Sequence, residues 1–200
     1  MLGLALVARR QWPGQRELSR KIMHIGTGAV IPMAWWFAIP AVIAIPFAGL
    51  VTLAAAINQR WRLIAAVEDV DRNSHGTTAY GLSITLLLVL FWQQQPAAVC
   101  AGVLVMACGD GLAGLIGRAV ASPRWSVIGQ TKSLAGTTTM LAVSFGVLIT
   151  LSAVVNPMPN GAAVLLLAAA ATALEQISPA GIDNLSVPLT VSSLWAALLS

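Results

Sequence analysis

Residues 109–137 read GDGLAGLIGRAVASPRWSVIGQTKSLAGT, and this stretch decides what kind of chain this is. It begins as an apolar, glycine-rich run with one carboxylate, Asp110, set between Gly109 and Gly111. A short basic part follows, carrying Arg118, Arg124 and Lys132. From Ser133 onward, through Gly136 and Thr137, a second apolar run opens. An acid inside an apolar run is costly in lipid and marks a functional site by default. The alternative is a structural acid paired to Arg or Lys. Lys132 at a helix start is electrostatically misplaced, because a helix N-terminus is already positive. Either it is an ordinary basic cap, or an anion resolves the misplacement. The unpaired N–H groups of a helix start suit phosphate.

Composition extends the membrane reading to the whole chain. Of 200 residues, 58% are hydrophobic and 9% charged, whereas a soluble domain carries about 25% charged residues. Mean hydropathy is +0.82. No stretch is polar enough to form a separate soluble domain, so one membrane domain, 1–200, is expected. It comprises a basic N-terminal segment, 1–21, and a helical bundle, 22–199. The expected class is an all-α, polytopic integral membrane protein. Seven spans are predicted, at about 22–39, 41–58, 76–92, 97–117, 134–155, 161–177 and 187–199. The last is marginal, since a crossing helix needs roughly 20 residues. Met1–Ala8 is apolar but too short to span, and no cleavage-site pattern follows it, so no signal peptide is read there.

The charges then set the orientation. With the N-terminus inside, the inner segments are 1–21, 59–75, 118–133 and 178–186, and all eleven Lys and Arg lie in the first three. The outer turns, near 39–40, 93–96 and 156–160, carry no charge. This is the positive-inside pattern, and it predicts an N-in, C-out bundle with its polar chemistry on the cytoplasmic face. It also accounts for the net charge of +4 without a nucleic-acid partner. Trp35, Trp36, Trp92 and Trp125 fit interfacial aromatic belts. Cys100 and Cys108 share an apolar run without metal-ligand spacing and read as buried small hydrophobes.

Three further clusters accompany the opening stretch. Arg20, Lys21 and His24 can share one helix face at i,i+3 and i,i+4 spacing. Interfacial anchoring explains the first two, but His24 lies a turn further in. Asp110 sits seven residues before Gly117, about 10 Å inside the helix end at 1.5 Å per residue. Glu175, Ser178, Asp183 and Asn184 bring two more acids to the same side. With phosphates, such oxygen ligands are what Mg²⁺ prefers; a solvated polar turn is the rival reading, strongest for Asp183.

Several motif matches fail on context. Gly109, Gly111 and Gly114 fit G-x-G-x-x-G, but no strand precedes them, and the glycines read instead as close helix approach or a helix break. Thr131 stands where a Walker A loop needs glycine before the lysine. The segment from Asp69 has Ser74 and Tyr80 at positions where an EF-hand needs Gly and Glu.

Taken together, SRKIMH, GDGLAGLIG, KSLAGTTTM and EQISPAGIDNLSVPL resemble the polyprenol kinase family, which includes phytol, farnesol and dolichol kinases. The resemblance runs from about Ser19 to Pro188, and the GIDNLSVPL ending is most similar to the phytol kinase branch. One departure is that family members usually carry a further full helix ahead of the first motif.

The resemblance implies transfer of the terminal phosphate of a nucleoside triphosphate, usually CTP, to an isoprenoid alcohol such as phytol or geranylgeraniol within the membrane. It implies functional roles for Arg20, Lys21, His24, Asp110, Lys132, Ser133, Gly136, Thr137, Glu175, Asp183 and Asn184. On this reading Asp110, with Glu175 or Asp183, takes Mg²⁺. Lys132, Ser133, Gly136, Thr137 and Asn184 bind the nucleotide. Arg20, Lys21 and His24 neutralise developing charge. Enzymatic alternatives are a CTP-dependent diacylglycerol kinase or a membrane cytidylyltransferase. A transporter is the non-enzymatic one, and it would predict an inverted repeat, which the sequence does not display.

Overall fold

The computed structural model describes residues 16–61, 76–179 and 181–199, with side chains from Lys21 onward. The Arg20 side chain, the Met1–Ala8 segment, and the 59–75 loop beyond Trp61 lie outside the described residues.

The organising element is α4, the rod Pro96–Ala119, whose small residues let other helices approach from several sides. In lipid no hydrophobic force drives helices together, so close packing over Gly and Ala does that work. Ala98, Val99, Cys100, Ala101, Val103 and Val105 are fully buried. Around α4 stand α1 (Arg16–Trp36), α3 (Gly76–Phe91), α5 (Leu134–Ser152) and α7 (Asp183–Leu198). Helix α2 (Ala41–Trp61) packs on α3, and α6 (Gly161–Ile177) on α5 and α7. Gly102 is where α7 crosses closest: a Cβ there would run into the Pro188 carbonyl and the Ser192 hydroxyl.

Among the described residues, three helices are long and apolar enough to cross a membrane: Ala41–Trp61, Pro96–Ala119 and Leu134–Ser152; Gly76–Phe91 and Gly161–Ile177 are shorter and apolar. The outer surface of the bundle is correspondingly oily, with Val42, Phe47, Leu50 and Leu166 all exposed. Isolated exposed apolar residues are ordinary, but a continuous apolar face calls for a lipid or protein partner.

The helices fall close to the sequence prediction, with three differences, the first being that α1 starts at Arg16, six residues before the predicted span and inside the predicted N-terminal segment. The last helix starts at Asp183, four residues before the predicted span, so it is a full 16 residues long with Pro188 inside. The 118–133 segment, predicted as a loop in an all-α fold, contains a two-stranded hairpin, Arg124–Val127 (β1) with Gln130–Ser133 (β2). Its two-residue turn, Ile128 and Gly129, has positive φ at both positions (47° and 73°). That is the turn geometry whose twist matches paired strands. The lone glycine gave little warning, since the other turn position is a β-branched isoleucine. The hairpin ends at Ser133, which caps α5 by accepting a hydrogen bond from the Gly136 N–H at 3.2 Å.

Candidate active site

Asp110 owes its position to its two glycines and to a change in helix pitch. The turn Val105–Asp110 is a π-helix inside α4. Such single wide turns recur at functional sites, because they rotate the following side chains onto a new face. Gly109 then lies against Met140 and Ser144 of α5, where a Cβ would come within 2.7 Å of the Met140 sulfur. Gly111 lies against Ile25 of α1, again too close for a Cβ. With both neighbours packed flush, Asp110 between them faces a cavity of about 790 Å³.

Every carboxylate whose side chain is described converges on this cavity. Asp110 (α4), Glu175 (last turn of α6) and Asp183 (first residue of α7) place one oxygen each within 4.8 Å of one another. Three like charges so close repel, and two lysines offset most of that. Lys21 of α1 donates to Asp110 Oδ2 at 2.6 Å and to the Asp110 carbonyl at 3.2 Å. Lys132 of β2 bonds the Glu175 carboxylate and, at 2.8 Å, its carbonyl. Both lysines are largely buried, with side chains 7% and 10% exposed, so these are desolvated, charge-assisted contacts. Asp183 instead accepts from the backbone N–H (3.0 Å) and side-chain amide (3.1 Å) of Asn184. Burial first, and then the charge of Asp110, push its carboxyl up to about 6.

The predicted residues whose side chains are described therefore gather at one place, where several bond to one another. His24 stacks on Tyr80 with ring centroids 4.1 Å apart, and its Nε2 is 3.8 Å from Asp110 Oδ2. Asn184 holds Asp183, as above. Ser133 caps α5 and donates to the Gly117 carbonyl at 3.2 Å. Thr137 donates to the Ser133 carbonyl (3.0 Å) and accepts from Gln176 (3.0 Å). Gly136 packs against Gly117 and the Ala113 carbonyl. The N–H groups expected to seat phosphate are engaged within the chain. Leu134 N–H goes to the Pro123 carbonyl, Ala135 N–H to the Ser122 hydroxyl and Gly136 N–H to Ser133. Four basic side chains, Lys21, Arg118, Arg124 and Lys132, line the cavity. Arg20 lies outside the described side chains.

Three contributors were missed in the sequence. Tyr80, the one tyrosine in the chain, is 5% exposed and lines the cavity beneath His24. Gln176 bridges Glu175 and Thr137. Gln130 ties the hairpin to the Ser178 carbonyl at 3.2 Å. A solitary tyrosine in an apolar run was a signal; the two glutamines gave none.

Three hard oxygen donors from three helices suit a divalent cation such as Mg²⁺.

Comparison with known proteins bears on what this cluster does. The chain is 40% identical over 192 residues to a phytol kinase of Synechocystis sp., covering 90% of this chain and 79% of that protein. It is 28% identical over 202 residues to a probable chloroplastic phytol kinase 1 of Glycine max, covering 90% of this chain and 66% of the relative. Against a dolichol kinase of Arabidopsis thaliana it is 28% identical over 124 residues, 60% of this chain and 22% of the relative. No protein-family model and no solved structure matches the chain.

Proposed function

The chain belongs to the polyprenol kinase family, enzymes that phosphorylate an alcohol, and from that premise we propose that it transfers the terminal phosphate of CTP to a prenyl alcohol such as phytol or geranylgeraniol, with Mg²⁺. The observation that carries this reading is the convergence of Asp110, Glu175 and Asp183 with Lys21 and Lys132 at one end of a cavity. Phosphoryl transfer asks a protein for positioning and charge neutralisation more than for covalent chemistry, and this constellation offers both.

Asp110, Glu175 and Asp183 are the residues that would hold the metal, which when bound offsets charge on the phosphate oxygens. Lys132 and Lys21, each now bonded to a carboxylate, turn to phosphate oxygens when the nucleotide enters. The alcohol oxygen attacks the terminal phosphorus, the bond to the bridging oxygen breaks, and a nucleoside diphosphate leaves. A carboxylate of the cluster takes the hydroxyl proton. His24, held by Tyr80, sits where it can balance the charge of Asp110 as that proton moves.

The same proposal places the chain in the membrane as seven spans, N-terminus inside, with the site on the cytoplasmic face. The distribution of basic residues supports it. The deciding experiment incubates purified protein in liposomes with labelled CTP or ATP, Mg²⁺ and a panel of lipid alcohols. Labelled prenyl monophosphate and free CDP are expected. Release of pyrophosphate would instead identify a cytidylyltransferase, and labelling of diacylglycerol alone would identify a diacylglycerol kinase.

A further inference from the structure

Helices α1 and α2 are joined by the short turn 37–40, yet they part company: α1 packs on α4, and α2 on α3. The space between them is not closed. It is the second half of the cavity that holds the carboxylates. Its walls are Met23 and Thr27 of α1, Val51, Ala54 and Ala55 of α2, and Gly81 of α3. Positions 51, 54, 55 and 58 recur at helical spacing and form one stripe of α2. On that stripe the side chains at 54 and 55 are only methyl groups, whereas the neighbouring Leu50, Leu53 and Ile57 are large and exposed. Val51 and Ala54 are exposed as well, so the crevice opens on the flank of the bundle, between its spanning helices. Tyr80 stands where the apolar and charged halves meet; its hydroxyl is buried without a hydrogen-bond partner among the described residues.

We propose that this crevice is the binding site for the isoprenoid chain of the acceptor alcohol, and that Ala54 and Ala55 set how bulky a chain can pass. This rests on the kinase reading above. A cavity charged at one end, apolar at the other and open to lipid at its side matches an amphiphile with a reactive head. The alcohol can then enter from the bilayer without leaving it, its hydroxyl arriving at Asp110 while the far end of the chain stays in lipid. Nucleotide, being charged, enters from the opposite, basic end at Arg118, Arg124 and Lys132.

Two measurements test the site. In the wild-type protein, a prenyl alcohol carrying a diazirine on its chain is photolysed in liposomes and the labelled peptides are mapped. Label in 51–58 and 77–81, displaced by unlabelled phytol, is expected; label confined to the outer faces of α5 and α6 overturns the proposal. Kinetically, Ala55→Trp should raise the KM for the prenyl alcohol by about tenfold and leave that for the nucleotide unchanged, the signature of lost binding for one substrate. Leu53→Trp, on the outward face of the same helix, should change neither. Equal rises in both constants for Ala55→Trp would sink the assignment, and if that variant does not fold, the photolabelling decides. Wild type that labels in the crevice but phosphorylates no alcohol refutes the kinase reading and leaves the lipid site standing.

Discussion

Lys21 of α1 and Asp110 of α4, 89 residues apart in sequence, meet at 2.6 Å in a largely buried contact. The acid that looked isolated in the sequence is therefore a paired one. A buried pair costs desolvation, and losing one partner leaves the other charge stranded. The pair is consistent with both a structural and a chemical role, and substitution separates them. Asp110→Asn keeps the shape and still accepts a bond from Lys21. Its stability should fall by about 1–3 kcal/mol. Its phosphotransfer should fall about 100-fold or more, the scale of one preorganised electrostatic contact. Lys21→Gln/Asp110→Asn should recover the thermal stability in detergent and stay inactive. A stable Asp110→Asn with near wild-type turnover would remove Asp110 from the chemistry.

Lys132 pairs with Glu175 through both its carboxylate and its carbonyl, holding the hairpin to the end of α6. If it exchanges that pairing for phosphate, Lys132→Ala should raise the apparent KM for the nucleotide about tenfold, the worth of one charge-assisted contact. The alcohol KM should stay put. A selective rise for the alcohol would take Lys132 out of the phosphate site.

If the carboxylate cluster holds Mg²⁺, transfer should depend on the metal. Chelation with EDTA should abolish transfer and excess Mg²⁺ should restore it. Asp183→Asn and Glu175→Gln should each shift the Mg²⁺ concentration for half-maximal activity upward by about tenfold, as changes around a metal site do. Unchanged Mg²⁺ titrations in both variants would mean that the cluster is a structural network only.

Topology can be read with an impermeant thiol reagent on a protein in which Cys100 and Cys108 are replaced by Ala. Ala121→Cys, beside the hairpin, should be shielded in intact cells and react after permeabilisation. Met158→Cys, exposed in the turn before α6, should react from outside. Labelling of Ala121→Cys from outside would invert the arrangement.

Helix packing has its own test at Gly102. A Cβ at this position collides with the backbone of α7 at Pro188, so the neighbour cannot simply rotate aside. Gly102→Leu should cost about 1–3 kcal/mol or more through overpacking, and should displace Asp183 at the start of α7. Gly146, on an open face of α5, has nothing within 4 Å of an added Cβ. Gly146→Ala should leave the melting temperature in detergent unchanged or raised. Equal tolerance at both positions would mean that α4 and α7 are not in the contact described.

The apolar runs of this chain, the one-sided distribution of its basic residues and the isolation of Asp110 between two glycines are local properties. Composition and spacing fixed them, because hydropathy and charge act residue by residue along a helix. The sequence also put Lys21 and His24 on one face, since helical periodicity is local too. What partners those residues take is not local. Helix rotation and tilt brought Lys21 to Asp110, Lys132 to Glu175, and the lone Tyr80 under His24. Only the packed structure shows that the first N–H groups of α5 are engaged by Pro123, Ser122 and Ser133. It also shows that α1 and α2, neighbours in sequence, stand apart. In lipid, where apolar surfaces do not choose among one another, the contacts of small residues such as Gly102, Gly109 and Gly111 decide which helices touch, and that choice exists only in three dimensions.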